Sequence, residues 1–193
     1  NWNTGTPVTT SGPLGQFCFE RLRDKRKLVF IAGGSGITPF KPLITDLIIA
    51  HPRVEMILFY GVADIENIIF QKYLDAIAEE YPERLKVVYV NSGAEGDMWE
   101  GESGLIDRRL IRRHAEEPEN YSHFVCGPPE MYSYIDRELS SFHLRPGRIR
   151  KEAPGDSFSA AGIPDFPENK MGKQFKLSIH SDGKTCETTA TPK

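Results

Sequence analysis

Between residues 31 and 40 the chain reads IAGGSGITPF, with three glycines in four positions between an apolar run and a helix-like pattern. Bare backbone where a strand hands over to a helix suits an anion. The first amides of a helix lack intrahelical partners, and the helix dipole adds partial positive charge there. Thr38 is a good N-cap, and Pro39 fits the first helical position, where its missing N–H costs nothing. Gly33, Gly34, Ser35, Gly36, Ile37, Thr38 and Pro39 are therefore candidate phosphate-binding residues. The spacing is not the dinucleotide fingerprint, because Pro39 stands where the third glycine belongs, and no Gly-Lys-Ser/Thr follows to make a P-loop. A tight turn whose glycines only supply positive φ is the alternative. A second motif, Cys126-Gly127-Pro128-Pro129-Glu130-Met131, follows another apolar run. Its prolines stiffen the turn, and Pro129 can open a helix. A cysteine at a strand end is usually a small buried apolar residue.

The elements that must position these motifs follow from periodicity. KLVFIA (27–32), EMILFY (55–60), LKVVYV (85–90) and HFVC (123–126) read as buried strands. Phe40, Leu43, Ile44, Leu47 and Ile48 mark one helix face, ending near His51-Pro52. Phe70, Tyr73, Leu74, Ile77, Ala78 and Tyr81 mark a second face, Ile106 to His114 a shorter helix, and Met131, Tyr134, Ile135, Leu139 and Phe142 a final stripe. Strand and helix alternate from 27 to about 143, which predicts an α/β fold with a doubly wound parallel sheet. Both glycine-bearing turns then fall at the carboxyl edge of the sheet, where such folds bind ligands. Expected domains are a leading segment 1–21, the main domain 22–150, a linker 151–172 rich in Pro, Gly, Ser and charge, and a β-hairpin tail in 173–193.

Bulk properties narrow the classes. The 193 residues carry a formal net charge of −3 with scattered Lys and Arg, which gives no argument for nucleic acid. The most apolar segment, 43–60, is interrupted by Asp46, Arg53 and Glu55, so no membrane span is expected. Cys18, Cys126 and Cys186 are far apart, without metal-ligand spacing, and point to a reducing cytoplasm and no metal site. Asn1 in place of methionine leads to the expectation that the chain was cut from a longer protein.

GGSGITP, Tyr60-Gly61, the run Trp99-Glu100-Gly101-Glu102-Ser103-Gly104 and CGPPEM, in this order and spacing, closely resemble the nicotinamide-binding domain of the ferredoxin-NADP reductase superfamily over about residues 12 to 150. The resemblance implies that the GGSGITP turn holds a dinucleotide pyrophosphate. It implies that Tyr60, Gly61, Gly127, Pro128, Pro129 and Met131 contribute to the cofactor site, with Cys126 beside the transferred hydride. SGPLGQF (11–17) resembles the exit of the FAD-binding barrel, and KQFKLSIHSDGKTCETTATPK (173–193) the opening hairpin of a plant-type ferredoxin domain; the rest of both domains is absent from this sequence. The implied parent moves electrons between a nicotinamide dinucleotide, FAD and a 2Fe-2S centre, with a redox protein as a possible partner. The runs Gly61–Asp64 and Asn91–Asp97 carry no basic residue to meet a 2′-phosphate, which favours NADH. NADPH stays possible through Arg108 or Arg109. Two other readings stand beside this one: a docking or regulatory subunit with a vestigial site, and a doubly wound enzyme binding a mononucleotide such as FMN.

Overall fold

Lys27–Gly33 forms β1, whose residues after Lys27 are all buried, because the strand lies in a sheet covered on both faces. The computed structural model describes residues 15, 17–63, 66, 68–93, 99, 101–145, 147–152, 175–181 and 184–190. The chain divides into two units, Gly15–Pro154 and a second that contains the C-terminal hairpin.

In the first unit β1 is followed by a short 3-10 turn (Gly34–Ile37) and α1 (Phe40–Ala50). Then come β2 (Glu55–Val62), α2 (Gln71–Glu80), β3 (Leu85–Asn91), β4 (Glu102–Ser103), α3 (Arg108–His114), β5 (Ser122–Cys126), α4 (Pro129–Ser140) and β6 (Ile149–Glu152). Six parallel strands pair in the order β4-β3-β2-β1-β5-β6. The alternation of side chains along each strand divides the apolar residues between two faces. Leu28, Phe30, Leu58 and Tyr60 pack with Phe40, Ile44 and Leu47 of α1 and Leu74 of α2. Val29, Ile31, Phe59 and Val125 pack with Ile111 of α3 and with Ile135 and Leu139 of α4. The sheet is thus doubly wound, as the alternation of patterns implies.

Helix ends have identifiable causes. Asp107 caps α3, its Oδ1 accepting the Leu110 N–H at 2.7 Å. Pro129 opens α4 at the position where proline costs least. The far end of α1 is held by Arg84, distant in sequence. Its guanidinium donates to the carbonyls of Leu47 (2.7 Å), Ile48 (2.9 Å), His51 (2.8 Å) and Val54 (3.3 Å). Charge-assisted bonds to carbonyls at and just beyond a helix end are strong. Arg84→Met is expected to cost about 2–4 kcal/mol, read from the urea midpoint, and Arg84→Lys to recover less than half, since an ammonium lacks the planar fork. An unchanged midpoint in Arg84→Met would overturn this assignment.

Two differences from the sequence expectations stand out. Lys151 and Glu152 belong to β6 and not to a linker. The segment IRKE carries no strand alternation, yet it pairs in parallel with β5, from His123 opposite Ile149 to Cys126 opposite Glu152. Arg150 is buried there, donating to Asp24 at 2.6 Å and lying over the Phe124 ring. The second difference is at the start of the unit. Phe17 packs edge-on against Phe40 and Phe124, with centroids 5.3 and 5.4 Å away, so residue 17 is in contact with the main core. Residues 1–14 and 16 of the expected leading segment, and 153–172 of the expected linker, lie outside the described residues.

In the second unit β7 (Phe175–Ser181) and β8 (Lys184–Ala190) pair antiparallel, with Ser181 opposite Lys184, which is the expected hairpin.

Candidate functional site

Strands β2 and β3 follow β1 on one side and β5 and β6 lie on the other, so the connections diverge between β1 and β5. A crevice opens at the carboxyl ends of strands at such a switch point. Both glycine-bearing turns lie there. Ala32 is opposite Cys126 in the β1–β5 pair, which brings Gly33 and Gly127 to neighbouring positions one residue further on.

The two turns interlock. A Cβ on Gly36 would collide with the carbonyl of Cys126 and come within 2.7 Å of the Gly127 Cα, both backbone atoms that cannot rotate away. A Cβ on Gly33 would stand 2.7 Å from Met131 Sδ and 3.0 Å from Pro128 Cδ, and one on Gly127 2.8 Å from Met131 Sδ. Glycine at 36 is thus required for the close approach of the two backbones, whereas a side chain at 33 or 127 would first displace the end of the Met131 side chain. Gly34, with φ of +51°, is the member of the turn that uses glycine's backbone freedom.

Thr38 does not cap α1. The chain is already helical at Thr38 and Pro39, and the Thr38 hydroxyl donates back to the Ser35 carbonyl at 2.9 Å beside its own N–H at 3.1 Å. The helical rise therefore begins at Gly34, one turn nearer the strand than expected. The first amides of the 3-10 turn, at exposed Gly34 and Ser35, are those without intrahelical partners.

A cleft of about 550 Å³ lies over these turns. Gly33, Gly34 and Ser35 line one part of it, Pro128 and Met131 another, and Gly61 its floor. The other expected residues are placed differently. Gly36 and Ile37 are buried behind the turn. Tyr60 projects into the opposite core, 1% exposed, and Gly61 faces the cleft in its stead, because neighbouring strand residues point to opposite faces. Cys126 is 7% exposed and sits in the core beside the cleft and not among its lining residues. Burial pushes its thiol pKa up, a hydrogen bond with Tyr132 opposes this, and the Glu152 charge adds to it. The thiol is neutral at physiological pH and is no nucleophile.

Lining residues absent from the sequence-based candidates are Ala63, Ser92, Gly104, Leu105, Ile106 and, on α4, Glu130, Tyr134 and Ile135. Gly104 closes the run 99–104. Trp99 donates from Nε1 to the Glu102 carbonyl at 2.8 Å, and its indole lies where a side chain on Gly101 would be. Glu102 holds Arg113 (2.7 Å) and His114 (2.9 Å), and the His114 hydrogen bond is the main cause of its lowered pKa. That run thus fastens β4 to α3 and carries Gly104, Leu105 and Ile106 to the cleft. Arg108 and Arg109 are exposed on α3 and line no part of it.

The cleft fits a dinucleotide in size, in its glycine-lined approach and in the free amides at one end. Comparison with known proteins agrees. The family described as oxidoreductase NAD-binding domain matches residues 30–137. NADH-cytochrome b5 reductase 2 of Candida albicans is 33% identical over 134 residues, 68% of this chain and 44% of that protein. The crystal structure of Amycolatopsis cytochrome P450 reductase GcoB superposes with a TM-score of 0.63 at 26% identity, covering 73% of this chain and 42% of the other. A ferredoxin NADP+ reductase from Neisseria gonorrhoeae, crystallised with FAD and NADP, gives 0.56 at 27% identity, covering 72% and 60%. The chain spans about half the length of the curated relatives it matches. With the matched segment running from β1 into α4 and both glycine-bearing turns inside it, this chain belongs to the oxidoreductase NAD-binding domain family, in its ferredoxin reductase-like form.

Proposed function

We propose that this chain is the nicotinamide-binding part of an oxidoreductase that exchanges hydride between NADH and an FAD held on another domain, and passes electrons on to a 2Fe-2S centre. The observation that carries the dinucleotide part is the cleft at the switch point, bounded by two turns whose backbones meet at Gly36, where only glycine fits. The bound dinucleotide supplies the hydride chemistry; the chain supplies position and exclusion of water. The amides of Gly34 and Ser35 would meet the pyrophosphate, while Gly61, Pro128 and Met131 would bound the rest of the ligand. Cys126, in the same turn as Pro128, would border the reacting end as a neutral thiol, adding a small polarisable surface. The iron-sulfur part is supported by the hairpin of β7 and β8, whose sequence resembles the start of a plant-type ferredoxin domain. The free thiols of Cys18 and Cys126 suit a cytoplasmic setting.

NADH is preferred over NADPH because, among the described residues, the lining includes no Lys or Arg and one acid, Glu130, whose charge would oppose an added phosphate. Calorimetric titration of the chain with NADH and then NADPH at matched low salt tests both levels. NADH is expected to bind about tenfold more tightly, equivalent to one lost charge-assisted contact. Tighter NADPH binding would overturn the NADH preference, and saturable binding of neither would overturn the dinucleotide function.

A further inference from the structure

Tyr132, in the first turn of α4, sends its hydroxyl back to the ends of the strands. It accepts the Gly127 N–H at 3.3 Å and donates to the Glu152 carbonyl. The same hydroxyl opposes the rise in the Cys126 thiol pKa that burial causes. Cys126 and Glu152 are opposed in the β5–β6 pair, so one phenol joins the last residues of two parallel strands to the turn leading into α4. Filling space between helix and sheet would need only the ring. Two backbone partners converging on the oxygen require the hydroxyl as well.

A phenol has one proton to give and two lone pairs to receive. With Cys126 neutral, the Gly127 amide donates to Tyr132, whose own proton goes to the Glu152 carbonyl. Ionised, the thiolate competes for that proton. Tyr132 and the Glu152 carboxylate are the titratable groups that face Cys126.

We propose that Tyr132 is a positioning residue of the dinucleotide cleft, a role that presupposes the cleft assigned above: its hydroxyl sets where the Gly127-Pro128 wall stands by tying it to the end of β6. Because β6 is the last strand of this sheet, the wall and the chain's exit from the sheet share one fixed point.

The test uses the 193-residue chain and its Tyr132→Phe variant, which keeps the ring and removes the tie. Affinity for NADH is expected to fall about fivefold, the size of one hydrogen bond, with little change in urea midpoint. Iodoacetamide alkylation of Cys126, followed at that residue by peptide mass spectrometry, should shift its midpoint to higher pH, since the thiolate loses its donor. A purely space-filling tyrosine would move neither. Unchanged affinity together with an unchanged alkylation midpoint overturns the proposal. So does rapid hydrogen–deuterium exchange of the Gly127 amide in the unsubstituted chain, a measurement that needs no variant. If that chain fails to bind NADH at all, the dinucleotide function falls, while the alkylation profile and the exchange rate still decide whether Tyr132 makes its tie.

Discussion

Gly36→Ala is expected to weaken dinucleotide binding by at least tenfold and to lower the urea midpoint, whereas Gly34→Ala, two residues earlier in the same turn, leaves the packing intact. The difference lies in what each new methyl meets. At Gly36 it meets the Cys126 carbonyl and the Gly127 Cα, so the two turns must separate by a large fraction of an ångström. Overpacking of that kind costs about 1–3 kcal/mol. The displaced elements are the two walls of the cleft, so the loss falls on binding as well as on stability. At Gly34 there is open space within 4 Å, and the penalty is the strain of a left-handed backbone, about 1 kcal/mol. Calorimetry with NADH, paired with urea unfolding of each variant, separates the two effects. Near-normal affinity in Gly36→Ala would show that the turns do not depend on each other for their positions.

The acid sensitivity of the fold is expected to centre on His123. This residue is the second of β5, fully buried, with its ring stacked on Phe142 at 6.3 Å. Neither ring nitrogen makes a well-formed hydrogen bond among the described residues. Burial pushes its pKa down to about 3, the Tyr121 backbone opposing. In the unfolded chain the same imidazole titrates near 6.5. Between these values the unfolded state binds the extra proton, so stability is complete above about pH 6.5 and falls as the pH drops, levelling off below about 3. The slope is about 1.4 kcal/mol per pH unit, several kcal/mol over the whole window. His123→Leu removes the titrating group while keeping similar bulk. The stability difference between the unsubstituted chain and this variant should therefore shift steadily against the unsubstituted chain from pH 7 to pH 4.5. A constant difference across that range would mean that His123 does not control the acid limb.

Wherever the sequence repeats a strong period, it was sufficient to specify structure. The buried strands KLVFIA, EMILFY, LKVVYV and HFVC and the helix faces of Phe40–Leu47 and Tyr73–Ile77 follow from local patterning, because burial on both faces demands continuous apolar strands and one-sided helices. The glycine-bearing turns were legible too, since few other residues suit a strand-to-helix turn of this kind. What lacked a local signal was decided by partners far away in sequence. IRKE becomes β6 through pairing with β5 and through the Asp24–Arg150 ion pair. Arg84 closes a helix more than thirty residues earlier in the chain. Tyr60 and Gly61 exchange roles because strand alternation puts the tyrosine in the opposite core and leaves the glycine at the cleft. The motifs by themselves indicated what kind of ligand would be bound. Only the order of the strands determined that Gly36 rests on Cys126 and Gly127, because contact between turns some ninety residues apart depends on β1 and β5 lying side by side.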